Sequence, residues 1–101
     1  MGLHWTEFTE LKAAHHVPTD AGVYKIVKQE SHELLYVGET DNLRNRLNQH
    51  RRRFSASAFS YSKLPWQTPH YQRLEIENDL IGYHYHLTGK SPTYQFTRQK
   101  S

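Results

Sequence analysis

Tyr24, Tyr36, Arg46 and His50, together with one of two glutamates, Glu75 or Glu77, are the side chains of this sequence best suited to chemistry. A phenol can accept a proton only as phenolate, and its ordinary pKa near 10 must be lowered by nearby cations or hydrogen-bond donors. A guanidinium presents a rigid fork that matches phosphate oxygens. An imidazole titrates near neutrality. One carboxylate can help to hold a hard cation such as Mg²⁺, which gives up its water reluctantly. Hydrolysis of a phosphodiester uses all of these: a nucleophilic water, neutralised charge at phosphorus and a stabilised leaving oxygen.

Two short runs, Gly22-Val23-Tyr24 and Tyr36-Val37-Gly38, read as the strands of a hairpin, with turn residues Glu30 to Glu33 between them. A turn centred near Glu30 pairs Tyr24 with Tyr36 and puts both phenols on one face. An aromatic pair that only packs is the ordinary reading of such tyrosines, and a one-residue slip would separate them. A helix follows, beginning at Thr40 or Asp41. Leu43 and Leu47 mark its core side, and Arg46 and His50 form a stripe beside them. A solvated basic face accounts for Arg44 and for Arg51, Arg52 and Arg53. It accounts less well for Arg46 and His50, which adjoin the apolar stripe.

The glutamates lie on a later helix opened by Thr68-Pro69 and closed by Gly89. Glu75 shares a face with Tyr71, Asn78, Asp79 and Gly82, a solvated pattern. Glu77 is flanked at helical spacing by Leu74, Leu80 and Ile81. A carboxylate in such a stripe needs compensation, either an ion pair with Arg73 four residues earlier or a divalent cation. Gly82 weakens the helix unless a tight contact requires it.

The motif Gly-Val-Tyr, then Tyr-Val-Gly, then Arg46 eight residues past Gly38 and His50 four further on, resembles the GIY-YIG nuclease domain. The segment Ile76 to Ile81 is similar to the family's helix in which a glutamate precedes a Leu-Ile pair. The resemblance covers nearly the whole chain. It implies a small α/β sandwich with a central, mostly antiparallel three-stranded sheet flanked by helices. It implies Glu77 as the metal ligand for Mg²⁺ or Mn²⁺, Tyr24 as general base, Tyr36 as an orienting group, and His50 as support for the tyrosine–water network. Two positions depart from the family. Gln95 stands where an Asn usually follows the Pro-x-Tyr-like stretch, here Pro92-Thr93-Tyr94. Glu39 stands where the excision-repair branch has a lysine, which disfavours that identity.

The rest of the sequence fits this reading. A chain of 101 residues, 36% hydrophobic and 23% charged, is expected to form one domain over 1–101 with little room for a separate recognition domain. A net charge of +3, with five of the 13 basic residues between Arg44 and Arg53, favours a polyanion, here DNA. There are no cysteines, so disulfides and thiolate metal sites are excluded. No apolar span or leader is visible, so no membrane role and a cytoplasmic setting are expected. The histidines are too poorly spaced for a transition-metal cage.

A short amphipathic helix is expected over Thr6 to His15 and a third strand within Phe54 to Leu64, where Phe59 and Tyr61 alternate with Ser60 and Ser62. Arg44, Arg51, Arg52 and Arg53 are the expected DNA contacts, with Arg73 and Gln95 as accessory candidates. Trp66 could be core, lid or partner contact. The function expected is metal-dependent DNA cleavage. A binding module of the same fold without catalysis, or a protein-interaction module, is the alternative. Little sequence specificity is expected, or specificity lent by a partner protein or a second copy, and oligomeric state is left open.

Overall fold

The seven residues Gly22–Lys28 form the central strand because apolar side chains are buried on both its faces: Val23, Tyr24, Ile26 and Val27 are all enclosed. The computed structural model describes residues 3–54 and 56–95. In chain order its elements are β1 (Thr9–Glu10), a 3₁₀ helix (Leu11–His16), β2 (Gly22–Lys28), β3 (Leu34–Thr40), α1 (Leu43–His50), β4 (Ser57–Lys63) and α2 (His70–Thr88). The strands form one open antiparallel sheet in the order β1-β4-β2-β3. The three expected strands are there. The two-residue β1 adds a fourth, where residues expected to be helical run alongside β4 instead. Leu11 and Ala14, on the 3₁₀ helix that follows, are buried, whereas Phe8 before it is 39% exposed.

The register sorts the side chains. Tyr24 opposes Tyr61, and Ile26 opposes both Phe59 and Tyr36, so these five share a face. The 3₁₀ helix and α1 cover that face with Leu11, Ala14, Val17, Leu43 and Leu47. A register shift at Ile26–Val27 lets Leu35 join the same core cluster as its neighbour Tyr36. On the other face Ser60 and Ser62 do not meet water. They are 1% and 2% exposed, and Ser60 donates to the Thr6 carbonyl at 2.6 Å. The alternation in β4 therefore separates two covered faces rather than core from solvent.

Helix α1 starts one step later than expected. Asn42 is its N-cap and accepts from the Asn45 amide at 3.0 Å, while Thr40 bonds the Asn42 backbone. Helix α2 begins at His70 with Pro69 as the cap residue and ends at Gly89 in the left-handed region (φ 75°). It packs along β3 and β2. A side chain at Gly82 would meet nothing, so packing does not explain that glycine.

Candidate active site

The hydroxyl of Tyr24 lies 2.9 Å from His50 Nε2, inside the core between β2 and α1. The hairpin does not place Tyr24 opposite Tyr36. Tyr24 opposes Gly38, and Tyr36 opposes Ile26. The hairpin turns later than Glu30: Lys28 N–H donates to the Glu33 carbonyl, and His32 takes a positive φ of 61° at the bend. A two-residue displacement keeps the face, so the two rings still stack, diagonally, at 6.2 Å and 27°. The displacement also explains Gly38. A Cβ there would overlap the Tyr24 hydroxyl and ring, so only glycine leaves the phenol its place.

His50 occupies the next position on α1 after the core leucines. It is 8% exposed and packs against Tyr24, Tyr36 and Phe54. Burial first, then the positive charges of Arg46 and Arg53, push its pKa down to about 4. The imidazole is therefore neutral at pH 7, with Nε2 beside the phenol. The Tyr24 phenol is pushed up, chiefly by burial and next by Tyr36, against the pull of Arg46. Tyr36 is only half-buried. Its phenol is raised by burial and then by Glu77, with Arg53 and Arg46 acting in opposition. Of the two hydroxyls, that of Tyr36 belongs to the side chain open to solvent.

Glu77 comes from α2 and is half-buried, whereas Glu75 is exposed. Burial and the neighbouring carboxylate of Glu39 raise Glu77 to about 7, with Arg46 opposing. The ion pair between Glu77 and Arg73, one of the two compensations the sequence offers, does not form. Arg73 is buried, donates to Glu39 Oε1 at 2.9 Å and to the Thr68 carbonyl at 2.9 Å, and so fastens α2 to β3. His70 Nδ1 approaches Glu39 Oε2 at 3.5 Å. In the sequence Glu39 stands out only as a departure from the repair branch. Its place directly after Gly38 is the available signal that it borders the site.

The arginines separate. Arg44 Nε donates to the Val17 carbonyl at 2.6 Å and ties α1 to the preceding loop. Arg51 Nη1 donates to Asn48 Oδ1 at 3.2 Å, and Arg52 is exposed. Arg53 is exposed too, but its guanidinium lies over Tyr36 and Phe54, 5.6 and 4.9 Å from the ring centres. Arg46 is solvent-exposed yet close enough to act on Tyr24, Tyr36, His50 and Glu77. Gln95 does not reach this cluster. Its amide bonds the backbone of Val37 on the open edge of β3.

A hydrated divalent cation fits this arrangement. Among the described residues Glu77 makes no hydrogen bond or ion pair, and its raised pKa marks a carboxylate whose charge is under-compensated. Those residues hold no group of three or more His, Cys, Asp or Glu able to cage a metal. A single carboxylate beside solvent suits Mg²⁺ or Mn²⁺ that keeps most of its water.

The GIY-YIG catalytic domain family matches residues 20–91 of the 101-residue chain, a span that includes Tyr24, Tyr36, Arg46, His50 and Glu77. No curated protein matches the chain.

Proposed function

The chain belongs to the GIY-YIG family, whose domains are generally nucleases, and from that premise we propose that it is a metal-dependent endonuclease that hydrolyses phosphodiester bonds in DNA. The observation that carries this reading is the half-buried, unpaired carboxylate of Glu77, close enough to the two phenols and to the Arg46 guanidinium for their charges to act on one another. A purely structural site would leave that carboxylate exposed or pair it.

In this mechanism Glu77 holds the cation. Bound there, Mg²⁺ or Mn²⁺ supplies Lewis-acid stabilisation of charge on the phosphate. Arg46 grips the phosphate oxygens and stabilises the charge that grows on them during attack. Tyr36 meets the attacking water. Its phenol becomes more acidic once Glu77 is neutralised, because the negative charge of Glu77 is one of the influences that raise it. The family resemblance gives the base's part to Tyr24, but Tyr24 is 0% exposed and its hydroxyl is engaged with His50. That burial favours Tyr36 as the phenol that contacts water, with Tyr24 and His50 fixing its surroundings. A phosphate beside Arg46 and Arg53 also offsets the two charges that depress His50, which makes the imidazole a better proton acceptor for Tyr24.

DNA is the proposed substrate, with sequence choice supplied by a partner protein or a second copy. Among the described residues no helix is long and apolar enough to cross a membrane. The test is supercoiled plasmid incubated with purified protein and Mg²⁺ or Mn²⁺, with a chelator control. Metal-dependent nicking or linearisation supports the reading. Salt-sensitive binding with no cleavage under any divalent metal replaces it with a DNA-binding domain of the same fold.

A further inference from the structure

Trp66 is 83% exposed, the highest value among the exposed large hydrophobic side chains. It does not hang on a loose loop. Thr68 N–H donates to the Pro65 carbonyl at 2.9 Å and closes a tight turn with Trp66 and Gln67 at its tip. Leu64 N–H holds one end of that turn to the Ala21 carbonyl at 2.9 Å, and Arg73 Nη1 holds the other end at the Thr68 carbonyl. The same Arg73 binds Glu39, the carboxylate whose charge acts on Glu77. The turn is thus bolted to the rim of the candidate site. Exposed apolar surface continues in the first turns of α2, where Tyr71 is 66% and Leu74 38% exposed. A lone exposed aromatic residue needs no explanation. An indole held out by a fixed turn that Arg73 ties to Glu39, the carboxylate that with Arg46 acts on Glu77, and followed by a second exposed ring, does.

We propose that Trp66, with Tyr71 five residues on in α2, is a stacking platform for unpaired bases, so that the preferred substrate is DNA with a single-stranded segment next to the cut phosphate. This deepens the endonuclease reading and rests on it for the word substrate, though the stacking itself does not need catalysis. The charge pattern selects the occupant. The arginines on α1 and just after it can hold a phosphate backbone, and a rigid aromatic surface tied through Arg73 and Glu39 to the Glu77 side of the site can hold bases that have left the duplex. In a duplex the base faces are stacked on one another, and an outlying indole has nothing to stack on. An unpaired strand offers both backbone charge and open faces.

The test uses the full chain carrying Trp5→Phe, which leaves Trp66 as the remaining one of two tryptophans, and Glu77→Gln to prevent cutting. Indole fluorescence is followed on titration with a (dT)12 oligonucleotide and, separately, with a blunt, fully paired duplex of the same length. The expected result is saturable quenching by (dT)12 and much weaker quenching by the duplex. Trp66→Ala should weaken (dT)12 binding about 5- to 30-fold and leave duplex binding within about twofold. Trp66→Phe should restore most of the loss, with thermal melts showing that all variants fold. No quenching, or equal losses on both DNA forms, overturns the platform. Two parallel assays with active protein separate the two claims. Metal-dependent cutting of bubble DNA that Trp66→Ala leaves unchanged sinks the platform and keeps the nuclease. Quenching with no cutting of any DNA keeps the platform and sinks the nuclease.

Discussion

The Gln95 side chain pairs with the backbone of Val37 as a neighbouring strand would. Val37 N–H donates to Gln95 Oε1 at 2.7 Å, and Gln95 Nε2 donates to the Val37 carbonyl at 2.8 Å. Val37 lies on β3, an edge strand, between Tyr36 and Gly38 of the motif. The segment before Gln95 already runs along that edge, with Thr93 and Tyr94 amides donating to Leu34 and Leu35. One side-chain amide therefore completes the cover of an otherwise open edge.

The first prediction follows from that geometry. Gln95→Asn shortens the arm by one methylene and cannot keep both bonds. Gln95→Ala loses both. Each should lower stability by about 1–2 kcal/mol, read as a fall in the denaturation midpoint. Because Gln95 does not touch the phenols, cleavage at low temperature should stay within a few-fold of wild type. A variant as stable as wild type but unable to cut would show that Gln95 acts in the chemistry instead.

The second prediction concerns pH and stability. His50 has a folded pKa of about 4, below the ordinary value of 6.5. Between those values the unfolded chain binds more protons than the folded one, so this group makes stability rise with pH from about 4 to 6.5. Fully protonating the imidazole should cost about 2 kcal/mol, allowing for partial solvent screening. His50→Gln, which still can bond Tyr24, should flatten that stretch of a urea-midpoint-against-pH curve. An unchanged slope would mean that the ring titrates normally and opens to water.

What was legible in the sequence depended on how local each signal was. The three longer strands, the core leucines of α1 and the half-buried state of Glu77 follow from periodicity, which a chain carries in its own neighbourhood. The Tyr24–Tyr36 register did not, because a turn that bends one residue later shifts every pairing by two, and turn residues such as Ser31 and His32 do not fix the bend. Partnerships between distant elements were also hidden. Arg73 had Glu77 within helical reach, yet it pairs with Glu39 across 34 residues. The cover over Ser60 was hidden as well, because nothing in β4 announces that Thr6 of the N-terminal segment bonds it. The basic run Arg51-Arg52-Arg53 reads as one patch in sequence, but the chain turns there and lays the exposed Arg53 over the Tyr36 and Phe54 rings.

That division gives the third prediction. Arg52→Ala should weaken DNA binding regardless of sequence and reduce the salt slope by about one counterion, if it meets one phosphate. Arg53→Ala should do more. It removes a positive charge that depresses both Tyr36 and His50, so the phenol becomes harder to ionise and the imidazole easier to protonate. The apparent pKa on the limb of the cleavage profile set by Tyr36 should move to higher pH in Arg53→Ala and stay put in Arg52→Ala. Identical profiles in the two variants would return Arg53 to the solvated patch.

The fourth prediction isolates Glu77 from the general charge of α2. Its folded pKa of about 7 lies above the ordinary 4.5. The folded state therefore holds a proton that the unfolded chain has released, and stability drains away as pH rises from about 4.5 through 7. Glu77→Gln removes that loss, so above pH 7 the variant should be more stable than wild type by about 1 kcal/mol once solvent screening is allowed for. A cation bound by the ionised carboxylate offsets the same loss. Millimolar Mg²⁺ or Mn²⁺ should raise the melting temperature of wild type at pH 8, do so less at pH 5.5, where the site is protonated, and leave Glu77→Gln unmoved. Cleavage should vanish in Glu77→Gln while DNA binding is kept or tightened. Glu75→Gln removes the same charge from the exposed side of the helix and should keep both the metal shift and the cutting. Equal damage in the two variants would mean that the helix contributes only diffuse field. Loss confined to Glu75→Gln would move the metal to the solvated face, and a wild-type melting temperature indifferent to divalent ions at pH 8 would remove the metal from Glu77 whatever the plasmid assay shows.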